Sequence, residues 1–371
     1  MSHTRIQIFS FAALLLLLAM ACNYPALTGQ VSALPQSPRS SISLGPILTA
    51  PPNATPTATP FQPVKDPLAP QPTATPEVQD TVVLAETCPF FPYPTEGSSI
   101  ELPAPVCPQL LQPNNQFNIL LLGSDQRPDS GGFRTDVNIL VTLNPDGNSV
   151  SMTSFPRDLY VYIPGWTMQR INTAHAHGGF PMTQLTYQYN FGVKPDRFVL
   201  INFWAFQDLI TSLGGIDVDV AQPLTDHRSG FGDYTVPAGR VHMDADTALW
   251  YVRSRYSTSD FERTVRQQEV IVGIFNRLIS LDVLQRAPAI YDIYKDTVTT
   301  DMTFTDMAKF LPLAGQLLGG SGVERYFIGR GQVTSWRTPG GAQVLLPNRE
   351  PVLQVMREAL NSDLPPVAVQ P

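Results

Sequence analysis

Apolar and polar positions change character sharply along this chain. Ile6 to Ala21 is almost wholly apolar, and from about Ala26 to Val82 the residues are Pro, Thr, Ala, Ser and Gln with neither a helical nor a strand period. At Phe117 a continuous apolar run, FNILLLG, ends in Gly, as a strand buried on both faces would. Asp136 to Leu143 predicts a second strand, NPDGN a turn, and the alternating Ser149 to Phe155 the return arm of a hairpin. Further strands are predicted at Arg197 to Asn202, Ile216 to Val220 and Arg325 to Ile328. Helices are predicted at Phe206 to Leu213, stopped by Gly214-Gly215, at Asp244 to Arg253, at Phe261 to Ile279, near Asp306 to Leu318 and at Pro351 to Leu360. The class is mixed α/β around a central sheet.

The first two stretches set the organisation. Ile6 to Ala21 follows Arg5 and precedes Cys22, which reads as a secretion signal over residues 1–21 and is short for a membrane span of about 20 apolar residues. Leu18-Ala19-Met20-Ala21-Cys22 resembles a bacterial lipobox, which would make Cys22 a lipidated N-terminus; an uncleaved anchor is the other reading. Residues 22–82 cannot bury enough apolar area to offset backbone entropy and are expected to form an extended linker. Residues 83–115 form a Pro-rich strap, 116–362 a single catalytic-sized domain, and 363–371 a tail. With Cys22 set aside, Cys88 and Cys107 remain as a pair in an oxidising compartment. A bridge between them would close a loop of roughly 20 residues and stabilise the strap by about 3 kcal/mol. No cysteine lies in the core, which excludes thiol catalysis and cysteine-ligated zinc there.

Charge narrows the chemistry. A net charge of −7 argues against a nucleic-acid binder. Yet Gln116 to Ser280 holds twelve arginines and one lysine, Lys194, so positive charge in the core is almost all guanidinium, the group suited to bidentate phosphate contacts. The segment Gly123 to Asp136 leaves the end of the first strand and carries Asp125, Arg127, Arg134 and Asp136. Carboxylates that hold a hard cation, beside arginines that neutralise phosphate, would form a metal-phosphate site; internal salt bridges of a solvated loop are the plainer reading. Arg157 follows a strand and a proline. Arg253 and Arg255 form a second group with Arg263 and Arg266, and on the long helix Arg263, Arg266 and Gln267 share a face. Arginines so close repel unless an anion or carboxylates lie between them. His175 and His177 are spaced i, i+2, which predicts loop or capping roles rather than one metal face. HExxH, GxSxG and Walker A patterns are missing, so zinc protease, serine hydrolase and P-loop chemistry are poorly supported.

Gly123-Ser124-Asp125-Gln126-Arg127, Arg134-Thr135-Asp136, Pro156-Arg157-Asp158, Arg170-Ile171-Asn172, LGGIDVDV and YVRSRYSTSDFERTVRQQ occur in an order that strongly resembles the LytR-CpsA-Psr family, over about Asn118 to Ile279. Arg170 stands where the family usually has lysine, and Val137 where it has threonine; members commonly keep an uncleaved membrane helix where this chain has the lipobox-like segment. The resemblance implies a three-layer α/β sandwich around a mixed sheet, with an apolar pocket for a polyprenyl tail. It further implies that Asp125 and Asp136 hold Mg²⁺ (or Mn²⁺), that Arg157, Arg253 and Arg255 grip the pyrophosphate, and that Arg127, Arg134, Arg263, Arg266 and Gln267 support them. The implied enzyme is a membrane-anchored, extracytoplasmic phosphotransferase. It would move a teichoic acid-like glycopolymer from a polyprenyl-pyrophosphate carrier to a peptidoglycan hydroxyl, with Arg157, Asp125 and Asp136 as the catalytic set. A polyprenyl-pyrophosphate phosphatase and a non-catalytic lipid- or glycan-binding lipoprotein are the alternatives.

Overall fold

The computed structural model describes residues 88–361 except 114, 128–132, 256, 258, 280–297, 304–305 and 307–322. The expected signal, Cys22, the linker, the tail and most of the helix expected near Asp306 to Leu318 lie outside the described residues. The chain runs through β1 (Phe117–Ser124), β2 (Thr135–Asn144), β3 (Ser149–Ser154), β4 (Tyr160–Tyr162), β5 (Met168–Arg170), α1 (Ala174–Phe191), β6 (Arg197–Asn202) and α2 (Phe203–Leu213). It continues with β7 (Ile216–Val220), β8 (Leu224–Arg228), β9 (Gly232–Val236), β10 (Gly239–Met243), α3 (Ala245–Arg253) and α4 (Asp260–Ile279). Then come β11 (Val298–Thr300), β12 (Val323–Phe327), β13 (Val333–Arg337), β14 (Gln343–Pro347) and α5 (Arg349–Ala359).

The central sheet is six-stranded in the order β11-β6-β1-β2-β3-β12. It is mixed: β1 runs parallel to β6 and β3 parallel to β12, while β1–β2, β2–β3 and β6–β11 are antiparallel. The carboxyl ends of β1, β3, β6 and β12 and the start of β2 therefore meet at one edge. That edge is where α/β sheets place their ligands, because the loops diverge there.

Both faces are covered, which explains the unbroken apolar run of β1. Leu120, Leu122, Leu140 and Leu200 pack with Tyr187 and Phe191 of α1 and Val352 and Met356 of α5. On the other face Ile119, Ile139, Val141, Val150 and Met152 pack with Val272 of α4. Outside α4 lies a second cluster, where Ile210, Leu213, Val218 and Tyr251 surround Val270. The helices begin at polar caps: the Asn202 side chain accepts from Ala205 N at 2.9 Å and Asp244 accepts from Thr247 N at 2.8 Å. The Asn202 cap starts α2 three residues before the expected Phe206.

The sequence reading expected no helix where α1 lies. Its first turn ends at Gly178 and Gly179, whose backbone leaves the helical region, and Pro181 opens the longer segment. Gly192 closes it at φ 70°, and a Cβ there would lie 2.7 Å from Val106 Cγ1. Val106 belongs to the strap, which is joined by the Cys88–Cys107 disulfide with Cα atoms 5.5 Å apart. A Pro-rich segment is short of N–H donors but keeps its carbonyls, and the domain supplies the missing donors. Tyr162 Oη donates to Pro92 O at 2.7 Å, Tyr189 Oη to Pro103 O at 2.6 Å, and Arg349 to Ala104 O and Pro105 O at 2.6 and 2.8 Å.

Candidate functional site

At the sheet edge three aspartates and three arginines interleave. Asp136, the second residue of β2, accepts from Arg157 Nη1 at 2.8 Å and from Asn172 Nδ2 at 3.2 Å. Arg157 sits in the turn after β3, where Phe155 N donates to Asn138 O and Leu159 N to Pro156 O, so the sheet fixes its Cα. Its Nε lies 3.4 Å from Asp158 Oδ2 and 3.8 Å from Asp260 Oδ2. Asp158 in turn pairs with Arg170 at 3.0 Å, and Asp260 with Arg263 at 2.9 Å. Asp260 is held in the first turn of α4 by a capping pair: Ser259 N donates to Glu262 Oε2 at 2.6 Å and Glu262 N to Ser259 Oγ at 3.3 Å. Residues from β2, β5, α4 and the β3–β4 turn thus converge although they span Asp136 to Arg263 in sequence.

Charge and burial shape this cluster together. Burial works against the charge on Arg157, but Asp136, Asp260 and Asp158 outweigh it and hold the guanidinium above its ordinary value. Arg263 is more deeply buried, and burial pulls it below the ordinary value; Asp260 opposes that shift, while Arg157 and Arg255 add repulsion. Both remain charged at neutral pH, since a guanidinium starts far above it. The electrostatic reach of Arg255 onto Arg263 puts it in the same neighbourhood. Arg157 Nε and Arg263 Nε are buried and make no hydrogen bond, as is Asn172 Oδ1. Buried donors on two converging guanidinium groups match an oxyanion.

The other expected residues are placed as follows. Asp125 closes its loop: its N–H donates to Arg134 O at 3.1 Å and its Oδ1 accepts from Arg134 N at 2.6 Å. Arg127 and Arg134 are exposed on that loop. Arg253, at the end of α3, lies 4.3 Å over the ring of Phe203, the residue after β6, and is exposed with Arg255 at the same edge. Arg266 and Gln267 reach back to the end of α3. Arg266 is buried and donates to Tyr251 O at 3.0 Å and to Ser254 O, and Gln267 Nε2 donates to Val252 O at 3.5 Å. Both satisfy carbonyls at the end of α3, where no further helical N–H follows, and so they hold the Arg253–Arg255 segment in place.

The histidines are corrected: both stand in the first turn of α1. His175 is buried against Phe133 and Phe198 with Nδ1 3.3 Å from Thr183 Oγ1, while His177 stacks on Trp166 with ring centroids 3.8 Å apart. Among the described residues no three His, Cys, Asp or Glu side chains group as metal ligands. The sequence reading gave no role to Asp158, Asp260 or Asn172. The signal for the two aspartates was available, since crowded arginines require countercharge.

Residues 95–318, more than half of the chain, match the LytR_cpsA_psr family. A polyisoprenyl-teichoic acid–peptidoglycan teichoic acid transferase TagU of Enterococcus faecalis is 34% identical over 200 residues, 52% of this chain and 64% of that protein. TagT of Bacillus subtilis, named for the same activity, is 29% identical over 67% of this chain and 77% of its own length. This chain thus spans less than two thirds of the TagU relative. The solved structure of TagT bound to LIIa-WTA superposes with a TM-score of 0.54 at 26% identity, covering 69% of this chain and 96% of that one. The crystal structure of B. subtilis TagU gives a TM-score of 0.52 at 27% identity over 67% and 97% of the two chains. With that span matched and the fold superposing on these structures, the chain belongs to the LytR-CpsA-Psr family.

Proposed function

We propose that this chain is an extracytoplasmic phosphotransferase that moves a teichoic acid-like glycopolymer from a polyprenyl-pyrophosphate carrier to a peptidoglycan hydroxyl. The observation that carries the reading is Arg157 set between Asp136 and Asp260, with Arg263 on the far side of Asp260. A diphosphate entering there takes the place of Asp260 against guanidinium groups that the sheet and α4 already hold in position. The acceptor hydroxyl attacks the phosphorus that bears the polymer. The bond from that phosphorus to the bridging oxygen breaks, polyprenyl phosphate leaves with the electron pair, and the hydroxyl proton passes to a base or water. Arg157 and Arg263 spread the charge that builds on the leaving phosphate. Arg253, Arg255, Arg127 and Arg134 line the approach.

Asp125 and Asp136 each follow one member of the Ser124–Thr135 pair where β1 ends and β2 begins, and as two neighbouring carboxylates they would hold a divalent cation such as Mg²⁺, which commonly takes one or two carboxylates and completes its shell with phosphate oxygens and water. When bound, the ion would screen the diphosphate charge. Leu121, Val137, Val199 and Ile271 lie partly buried on the α4 face beside the edge and suit the first units of a polyprenyl tail. Tethering through an acylated Cys22 would keep the domain close to a membrane-borne donor, and the mass of the mature N-terminus tests it.

The decisive assay supplies the full chain with a polyprenyl-pyrophosphate glycan, Mg²⁺ and peptidoglycan. Polymer covalently attached to the wall is expected, with loss on chelation of the metal. Free polymer phosphate without attachment would replace the reading with hydrolysis.

A further inference from the structure

The strap carries two large rings that packing does not explain. Phe90 and Tyr93 are 79% and 81% exposed, and their rings meet edge to face at 6.3 Å. They precede the family-matched span, which begins at residue 95. Between them and the β4–β5 turn the chain is fixed: Pro92 Cβ lies 3.5 Å from where a Cβ on Gly165 would be, and Thr95 N and Glu96 N both donate to Trp166 O, at 3.0 and 3.1 Å. Trp166 is itself stacked on exposed His177 with the two rings within 2° of parallel. These backbone contacts anchor the exposed Phe90–Tyr93 pair beside the half-buried Trp166, stacked with His177, at the tip of the β4–β5 hairpin. The base of the same hairpin is the arginine cluster, through Asp158 and Arg170.

We infer that Phe90, Tyr93, Trp166 and His177 form a platform for the acceptor glycan, a β-1,4-linked N-acetylhexosamine strand. The inference rests on the proposed function, since it gives the second substrate a place to bind. Exposed aromatic faces offer a pyranose ring its axial C–H groups a partner, and large exposed rings in one patch mark a binding surface rather than scattered exposure. The hairpin arm, at a strand rise of roughly 3.3 Å per residue, puts the platform about 15 Å from the cluster. A strand lying along it would present a hydroxyl a few sugars away to the phosphate, while an exposed pair on the opposite side of the domain could not.

The test is retention of the full chain on purified peptidoglycan stripped of attached polymer, with the double variant Phe90→Ala, Tyr93→Ala and, separately, Trp166→Ala. The double variant removes only exposed rings, so its thermal unfolding should match the parent. Retention is expected to fall roughly tenfold, and soluble N-acetylglucosamine oligomers should compete with the parent for the wall. Unchanged retention in the double variant overturns the proposal, as does parental retention that the sugar does not compete, which would mark a merely greasy surface. Platform-dependent retention in a chain that transfers no polymer leaves the platform standing and removes the transferase reading.

Discussion

Replacing Arg157 with Ala removes the partner of three carboxylates, but not equally. Asp158 keeps Arg170 and Asp260 keeps Arg263, whereas Asp136, among the described residues, keeps the amide of Asn172 and the more distant charge of Arg263. The side chains of Arg157 and Asp136 are 20% and 27% exposed, between a surface pair and a sealed one. A surface pair contributes about 0–1 kcal/mol, and stranding a fully buried partner costs about 3–5 kcal/mol. An intermediate loss of roughly 2 kcal/mol follows, which lowers the midpoint of thermal unfolding by about 5 °C for a domain of this size. Transfer activity should fall further, by about 10²–10³, because a preoriented donor to developing charge is lost. The double variant Arg157→Ala, Asp136→Asn separates the two effects: neutralising the stranded carboxylate should restore most of the unfolding midpoint and none of the transfer. Polymer attached to peptidoglycan, measured alongside thermal unfolding, reads both. Transfer that recovers together with stability would refute the argument, since Arg157 would then be acting only as a structural countercharge.

Arg266→Ala should destabilise by about 1–3 kcal/mol in urea unfolding, because the buried carbonyls of Tyr251 and Ser254 lose their donor; Arg266→Lys should not fully restore it, since one ammonium cannot span both. His175 is held neutral by burial below its ordinary value of 6.5, so the unfolded chain binds its proton first as pH falls. Stability from this group is complete above pH 6.5 and declines below it, and His175→Gln should flatten that part of a pH series of unfolding free energies. Gly273→Ala would bring a Cβ within 2.9 Å of Asp217 O and 3.2 Å of Val218 Cγ2, pushing α4 off β7; a loss of about 1–3 kcal/mol in denaturant titration is expected.

What the sequence made legible follows the physics of each segment. β1, β6 and β7 were visible because apolar runs and alternation are local signals, and α3 because Asp244 caps it where an acidic residue favours a helix start. α1 was not, because Gly178, Gly179 and Pro181 read as punctuation while tertiary packing of Tyr187 and Phe191 carries the helix through. The strands β4 and β5 escaped because three residues hold too few positions to show a period, and β8 and β9 because LTDHR and GDYTV are mostly polar, with Asp226 at an inward position. At the site, the arginines were recognised one motif at a time. Which of them pair with aspartates and which hold backbone depends on side-chain direction, so Arg263 and Arg266, one helical turn apart, end with different partners.

The strap invites a mechanical reading. It is gripped by Tyr162, Tyr189 and Arg349, which come from β4, α1 and α5, and closed into a covalent ring between Cys88 and Cys107. A pull arriving along the backbone from residues before Cys88 therefore enters the fold as a load shared by three distant elements, instead of peeling one edge from its end. A girdle of this kind lets a domain be tugged by whatever holds its leading segment without opening the loops at the sheet edge.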